Sequence, residues 1–266
     1  RAVQNSQHSK GERNGRNDVF FATDMYGKAF GHDTLALTTW WYRNDELVEA
    51  YRHALDTDPV ASFGGIVGVN REMDGATARE IAANSYEAVV APAYSQSALG
   101  ILRAKHGLEI LAVPPDPTEG MRDYGIASLD FKRVAGGLLV ESHDELGLDR
   151  GRLQVVTQRR PTLEELTDLL FAWRAVRHVR SNAIVLARNG ATVGIGAAQA
   201  SRQVSVEIAL RRAGDRARLS VMASDAYFPF PDGIAAAANA GITGIIQPGG
   251  SIRDEMAIEV ADRHHL

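Results

Sequence analysis

Two loops near the end of the chain constrain its fold more than any other feature. Ser-Asp-Ala-Tyr-Phe-Pro-Phe-Pro-Asp-Gly occupies 224–233 and Gln-Pro-Gly-Gly-Ser-Ile-Arg-Asp occupies 247–254. Between them, Gly233 to Ala240 is almost pure alanine and is ended by Gly241, which predicts a helix. Ile242 to Ile246 is a short apolar run of the kind that forms a buried strand. Loop, helix, strand and loop make half of a βαβ layer, and ligands in such layers sit on the loops.

The rest of the sequence repeats that alternation. Residues 1–18 are polar and read as an arm. Asp45 to Leu55 carries one apolar stripe (Leu47, Val48, Tyr51, Leu55) and predicts a helix with Asn44 as its N-cap. Strands are expected at 66–69, 88–91 and 108–113, with helices at about 75–83 and 97–106 between them. Phe131 to Val140 reads as a strand whose internal Gly-Gly marks a bulge or a close backbone approach. Thr162 and Glu165 have capping-box spacing and open a helix to about His178. Asn189-Gly190 between two apolar runs predicts a type I′ hairpin, and a further helix is expected at 201–212. The class is therefore α/β. The charged stretch at 141–160 marks a boundary, giving an arm over 1–40 and units over 41–150 and 151–266.

Composition narrows the function by exclusion. A formal net charge of −4 gives no basic face for a nucleic acid. No apolar run reaches the length of a membrane span. With no cysteine there are no disulfides and no thiolate metal sites, which fits a cytoplasmic protein. No two histidines share a ligand-like spacing with a carboxylate, so no catalytic metal is expected.

Several segments stand in a fixed order: Asp-Pro-Val-Ala-Ser-Phe-Gly-Gly at 58–65, Val-Val-Ala-Pro at 89–92, and Asp-Phe-Lys-Arg-Val-Ala-Gly-Gly-Leu-Leu at 130–139. Arg-Ser-Asn-Ala at 180–183, Gly-Ile-Gly at 194–196 with Gln-Ala-Ser-Arg at 199–202, and the two loops at 224–232 and 247–254 follow. In order and spacing, from about residue 45 to 262, they resemble the aminoimidazole carboxamide ribonucleotide (AICAR) transformylase domain of the bifunctional purine-biosynthesis enzyme. The resemblance implies two cytidine-deaminase-like α/β/α subdomains, a homodimer with sites at the subunit interface, and 10-formyltetrahydrofolate as formyl donor. Against the family pattern the sequence lacks the cyclohydrolase domain, the C-terminal tail and the Lys-His segment ahead of the 45–55 helix, where Thr-Thr-Trp-Trp-Tyr-Arg stands at 38–43.

The same resemblance assigns candidate residues. Asn182 corresponds to the asparagine that contacts the formyl group; its amide can donate to an oxyanion and accept from an amine. Taken alone, an asparagine there reads first as a cap of the turn between helix and hairpin. Asp232 takes the position that holds the pterin, with Tyr227 and Phe230 packed around it, although a carboxylate at a helix start also complements the dipole. Ser201 and Arg202 match a Ser-Arg pair that faces the nucleotide acceptor. Phe63 and Gly64 offer backbone groups to a base, and Glu87 takes the place of an acid before the Ala-Pro strand end. Asp225 reads as a structural loop carboxylate. The only lysines are Lys10, Lys28, Lys105 and Lys132; Lys10 near His8 and Lys28 near His32 are left as pairs to replace the missing Lys-His, and Lys28 with His32 stands in a glycine-punctuated stretch that suits a site loop. The leading expectation is a folate-dependent formyltransferase. The alternative is a non-catalytic paralogue that keeps the fold for binding or dimer assembly.

Overall fold

The computed structural model describes the backbone of residues 17–22 and 40–44, and residues 46–113, 129–142 and 150–266. The α/β alternation is present. In chain order the elements are β1 (Asn17–Ala22), β2 (Trp40–Asn44), α1 (Leu47–Thr57), β3 (Ile66–Val69), α2 (Gly75–Ala83), β4 (Ala88–Ala91), α3 (Gln96–Arg103) and β5 (Glu109–Ala112). A hairpin of β6 (Leu129–Val134) and β7 (Gly137–Ser142) follows. The second half comprises α4 (Leu163–Val176), β8 (Ile184–Arg188), β9 (Ala191–Gly196), α5 (Arg202–Ala213), β10 (Val221–Ser224), α6 (Asp232–Asn239), β11 (Gly244–Ile246) and α7 (Asp254–Arg263).

Among the described residues nine strands join in one sheet of order β11-β10-β8-β9-β2-β1-β3-β4-β5, and β6 and β7 pair only with each other. Strands β3, β4 and β5 run parallel, as do β10 and β11. The pairs from β10 through β8, β9, β2 and β1 to β3 are antiparallel.

Side-chain alternation along β8 and β10 builds a core on each face of the sheet. Val185, Ala187, Val221 and Ala223 join Leu169, Phe171 and Ala172 of α4 and the Leu47, Ala50 and Tyr51 stripe of α1. Ile184, Leu186 and Met222 instead meet Val206 and Ala209 of α5, Ile234 of α6 and Val260 of α7. The first core takes residues from both halves of the chain. The end of α1 is also tied across: Thr57 Oγ1 donates to the carbonyl of Thr192 at 2.9 Å, and Arg216 reaches the carbonyls of Asp56 and Thr57.

Local signals behave as their chemistry requires. Thr162 and Glu165 form a full capping box on α4. Asn189 and Gly190 have φ of 54° and 72° in the β8–β9 turn. That turn is stapled from outside, because the buried Asp168 of α4 accepts from the backbone N–H of Asn189 at 2.8 Å and of Gly190 at 2.7 Å. On the opposite face α5 lies close on β9. A Cβ at Gly194 would stand 2.3 Å from the Ala209 carbonyl oxygen, and one at Gly196 would stand 1.9 Å from that of Ser205.

Three expectations change. Gly-Gly at 136–137 is no bulge in one strand but the turn of a hairpin, where Val134 pairs with Gly137 and Gly136 takes φ 87°. Asn44 ends β2, and α1 begins after Glu46, which makes no side-chain cap. Strands β1 and β2 occupy the middle of the sheet, within and next to a stretch read as an arm. Among the described residues no helix is long and apolar enough to cross a membrane.

Two substitutions test these contacts by urea unfolding. Asp168→Ala strands two turn N–H groups and is expected to cost about 1–3 kcal/mol. Gly196→Ala drives a methyl into the backbone of α5 and is expected to cost about 3 kcal/mol or more, or to abolish soluble expression.

Candidate active site

The strand directions decide which loops meet. Strand β8 begins at Ile184, which pairs with Gly196 at the end of β9 and Ser224 at the end of β10; Ile246, at the end of β11, pairs with Ala223. The segments 180–183, 197–201, 225–231 and 247–253 therefore leave one rim of the sheet. Helices α5, α6 and α7 start from that rim, so their free N–H groups and positive dipole ends face it together.

Arg202, the first residue of α5, is only 7 % exposed and turns inward. Its Nη1 donates to Ser224 Oγ at 2.7 Å and to Asp225 Oδ1 at 2.5 Å. Its Nη2 donates to Asn182 Oδ1 at 3.0 Å. The other end of the Asn182 amide is held too, with Nδ2 donating to the carbonyl of Gln199 at 2.8 Å. Ser205, one turn along α5 and fully buried, donates from Oγ to the Asn182 carbonyl at 2.8 Å. The segment that supplies Gln199 is itself constrained: Ala198 has φ 58° and donates its N–H to the Arg180 carbonyl at 2.8 Å. Asn182 and Arg202, expected in one site, are thus in direct contact. The guanidinium expected at a nucleotide phosphate bonds the protein through both Nη atoms.

Asp225 was legible only as a loop carboxylate, and it is the centre of this network. Burial pushes its carboxyl up. Hydrogen bonds from the Ser181 hydroxyl, Arg202 and the Ala183 N–H, with the charge of Arg202, outweigh that and hold it below the usual carboxylate value. Ser-Asp at the end of an apolar run was the available signal, since a carboxylate there can reach whatever begins the neighbouring strand.

Tyr227, Phe230 and Asp232 lie further along the same rim. Phe228 is buried against Gly233 and donates its N–H to Gln247 Oε1 at 2.9 Å, pinning the 224–233 loop to the 247–254 loop. That leaves Tyr227 and Phe230 exposed at 44 % and 54 %. The guanidinium carbon of Arg253 sits 4.6 Å from the centre of the Phe230 ring. Asp232 is exposed in the first turn of α6. Ser201 caps α5, accepting from the Val204 N–H at 3.3 Å. In the second loop Gly249 and Gly250 have φ of 71° and 94°, which lets Asp254 Oδ2 accept from Gly250 and Ser251 N–H.

Phe63, Gly64 and Glu87 form a second group. They precede β3 and β4, and the register Ala22 with Ile66 puts that end of β3 on the same rim. Gly64 N–H donates to Ser85 and Glu87 N–H to Gly65, so the turn and the strand end are joined. Behind them Tyr51 and Tyr86 share a hydrogen bond of 2.9 Å, both hydroxyls pushed up by burial and held protonated. Phe63 is 76 % exposed. Strands β1 and β2 separate β3 from β9, which at ~4.8 Å per strand is about 14 Å. The two groups share a rim without touching. Lys28 and His32 lie outside the described residues.

A shallow concavity of about 710 Å³, lined by Glu46, Leu47, Asn70, Arg71, Glu72 and Asp74 among others, opens at the opposite rim. None of the expected site residues lines it. Among the described residues no group of three histidines or carboxylates is placed to hold a metal ion.

The model of the AICARFT/IMPCHase bienzyme family matches residues 29–212 of the chain. Similar proteins include the bifunctional purine biosynthesis protein PurH of Thermoanaerobacter sp. (strain X514), 49 % identical over 220 residues. That match covers 82 % of this chain and 42 % of the relative. PurH of Parvibaculum lavamentivorans is 49 % identical over 230 residues, covering 83 % and 42 %. PurH of Bacillus cereus (strain ATCC 14579) is 47 % identical over 221 residues, again covering 83 % and 42 %. The chain spans less than half the length of these relatives.

The lowered pKa of Asp225 fixes the sign of one pH effect. The unfolded chain takes up this proton first, so the stabilisation is complete above the ordinary value of 3.8 and is lost as pH falls through the lower folded value. Unfolding of wild type and Asp225→Asn should therefore differ by a constant amount above about pH 5, with the gap closing on acidification below about pH 4. A gap independent of pH contradicts the charged pairing with Arg202.

Proposed function

Because the chain belongs to the AICARFT/IMPCHase bienzyme family, we propose that it is a folate-dependent formyltransferase, moving the formyl group of 10-formyltetrahydrofolate to the amine of AICAR or a related acceptor. The observation that carries this reading is the Asn182 amide fixed on the rim where three helices begin. An uncharged amide, held at both ends and backed by a cation, is a preorganised donor for an oxyanion.

In the proposed reaction the acceptor amine attacks the formyl carbon, and its C–N bond forms while the carbonyl π electrons move to oxygen. Asn182 meets that oxygen. Collapse of the tetrahedral intermediate breaks the bond from carbon to N10 of the folate, and the proton lost by the amine ends on N10. Asp232 accepts from the amino-pyrimidine edge of the pterin, with Tyr227 and Phe230 as its apolar walls. Ser201 and the first turn of α5 border the acceptor. Phe63, Gly64 and Glu87 take the base end, and Lys28 with His32 handle the proton in place of the family's Lys-His pair.

The proposal includes two cytidine-deaminase-like subdomains, over 41–150 and 151–266, and a homodimer that works in the cytoplasm. Two features support the dimer. The rim groups stand apart within one chain. The β6–β7 hairpin exposes Phe131, Leu138, Leu139 and Val140, whereas an isolated two-stranded hairpin is marginal in water.

Calorimetry with a folate analogue and a product assay with 10-formyltetrahydrofolate and AICAR test the reading. Binding and turnover are expected, with Asn182→Ala lowering the rate about tenfold or more and Asp232→Ala weakening the folate with little change at the acceptor. No folate binding at millimolar concentration, or an Asn182→Ala rate equal to wild type, rejects it in favour of a non-catalytic relative.

A further inference from the structure

We infer that Asn189–Gly190 is a latent deamidation site and that Asp168 keeps it closed, a use of this carboxylate that stands apart from the formyltransferase reading. An Asn-Gly pair carries its own chemistry. The backbone nitrogen of the glycine attacks the side-chain carbonyl carbon of the asparagine, because no Cβ shields the approach. The new C–N bond closes a five-membered imide. The bond to Nδ2 breaks, and ammonia leaves with the proton given up by the glycine nitrogen. Water then opens the ring at either carbonyl, leaving aspartate or, where the main chain runs through the side chain, isoaspartate.

The β8–β9 turn holds the reactants of this step in the open. Asn189 is exposed, with φ 54°, and Gly190 follows with φ 72°. What restrains them is the state of the nitrogen. The Gly190 N–H donates to Asp168 Oδ1 at 2.7 Å and the Asn189 N–H to Oδ2 at 2.8 Å. The attacking nitrogen must lose its proton, and an accepting carboxylate both holds that proton and opposes negative charge on the nitrogen. The nitrogen must also turn toward the Asn189 side chain. That turn rotates the peptide plane between the two residues and breaks the bond to Asp168. One carboxylate thus blocks both requirements.

The place of Asp168 in the fold suits it to this task. It is buried on α4 beside the buried Leu169 and Leu170, and α4 packs against β8. Burying a carboxylate is costly unless donors meet it, and the two turn N–H groups do so. The Asn-Gly pair selects a type I′ turn without help, so turn choice alone does not call for such a residue. Opening the site has consequences beyond the turn. An isoaspartate lengthens the main chain by one atom, which displaces the Arg188–Ala191 and Ala187–Thr192 pairs. The Thr192 carbonyl is also the acceptor of Thr57 Oγ1, so the tie to α1 is disturbed with them.

The test follows the amide-to-acid mass shift of the peptide containing Asn189 after ageing of the intact chain in mildly alkaline buffer, with no substrate present. The urea-unfolded chain supplies the unprotected rate, and folded wild type is expected to convert roughly 100-fold more slowly. Asp168→Ala is expected to raise the folded rate roughly 10- to 100-fold over wild type, the strength of one hydrogen bond to a charged group. Thr162→Ala removes the α4 cap without touching the turn, and should stay within about fivefold of wild type. If Asp168→Ala does not fold, Asp168→Asn keeps the shape without the charge and is expected to convert about tenfold faster than wild type. Folded wild type converting as fast as the unfolded chain overturns the inference, as do Asp168 variants no faster than wild type. A Thr162→Ala rate equal to that of the Asp168 variant overturns it too, because general loosening then accounts for the reaction.

Discussion

The close seating of α5 on β9 is the contact from which the site follows. At Gly196 the backbone of Ser205 occupies the place a side chain would fill, and at Gly194 the carbonyl of Ala209 does the same. Interiors are packed too densely for such an approach to be approximate. It sets α5 along the strand with its first turn beyond the strand's end, and so carries Ser201, Arg202 and Ser205 to the rim beside residues 180–183. A larger residue at either glycine would tilt or lift the helix, and the distances from Arg202 to Asn182 and Asp225 would be lost with it.

The burial of Arg202 and Asp225 has an energetic consequence. A buried ion pair seldom adds much to stability, because desolvation of both charges offsets their attraction. Its use here is geometric. The hydrogen bonds from Ala183 and Ser181 to Asp225, and from Arg202 to Ser224, satisfy the pair from several directions. Together they hold the guanidinium in one orientation beside the Asn182 amide. The same circuit joins three segments far apart in sequence, so the site is not the property of any one loop.

What the sequence made legible is what depends on neighbours within a few residues. The Thr162–Glu165 box and the Asn-Gly turn are each decided by two side chains close in sequence, and each stands as its chemistry predicts. The Gly-Gly at 136–137 was misread because a glycine pair serves a bulge or a turn equally well, and only the partner strand distinguishes them. The sequence pointed to Asn182 and Arg202, but not to the partner of Arg202, since Asp225 reaches it only through the pairing of β10 with β8. Asp168 stayed silent for the same reason, the N–H groups that donate to it lying 21 and 22 residues along the chain.

The sheet order also bears on how the site is completed. Strand pairing fixes the distance between β3 and β9, and no side-chain rearrangement can shorten it while β1 and β2 lie between. Phe63 and Glu87 can therefore join Asn182 around one ligand in two ways: the ligand spans the rim, or a second copy brings its own first half across. The second arrangement also gives the β6–β7 hairpin a surface to cover, since its apolar residues are exposed in the single chain. A ribbon that has no third strand among the described residues and groups set apart along one rim are different deficits, and one association of the proposed kind would answer both. On the proposed function, that second arrangement makes dimerisation part of the chemistry, with the amide that meets the formyl oxygen and the groups that meet the base on different copies.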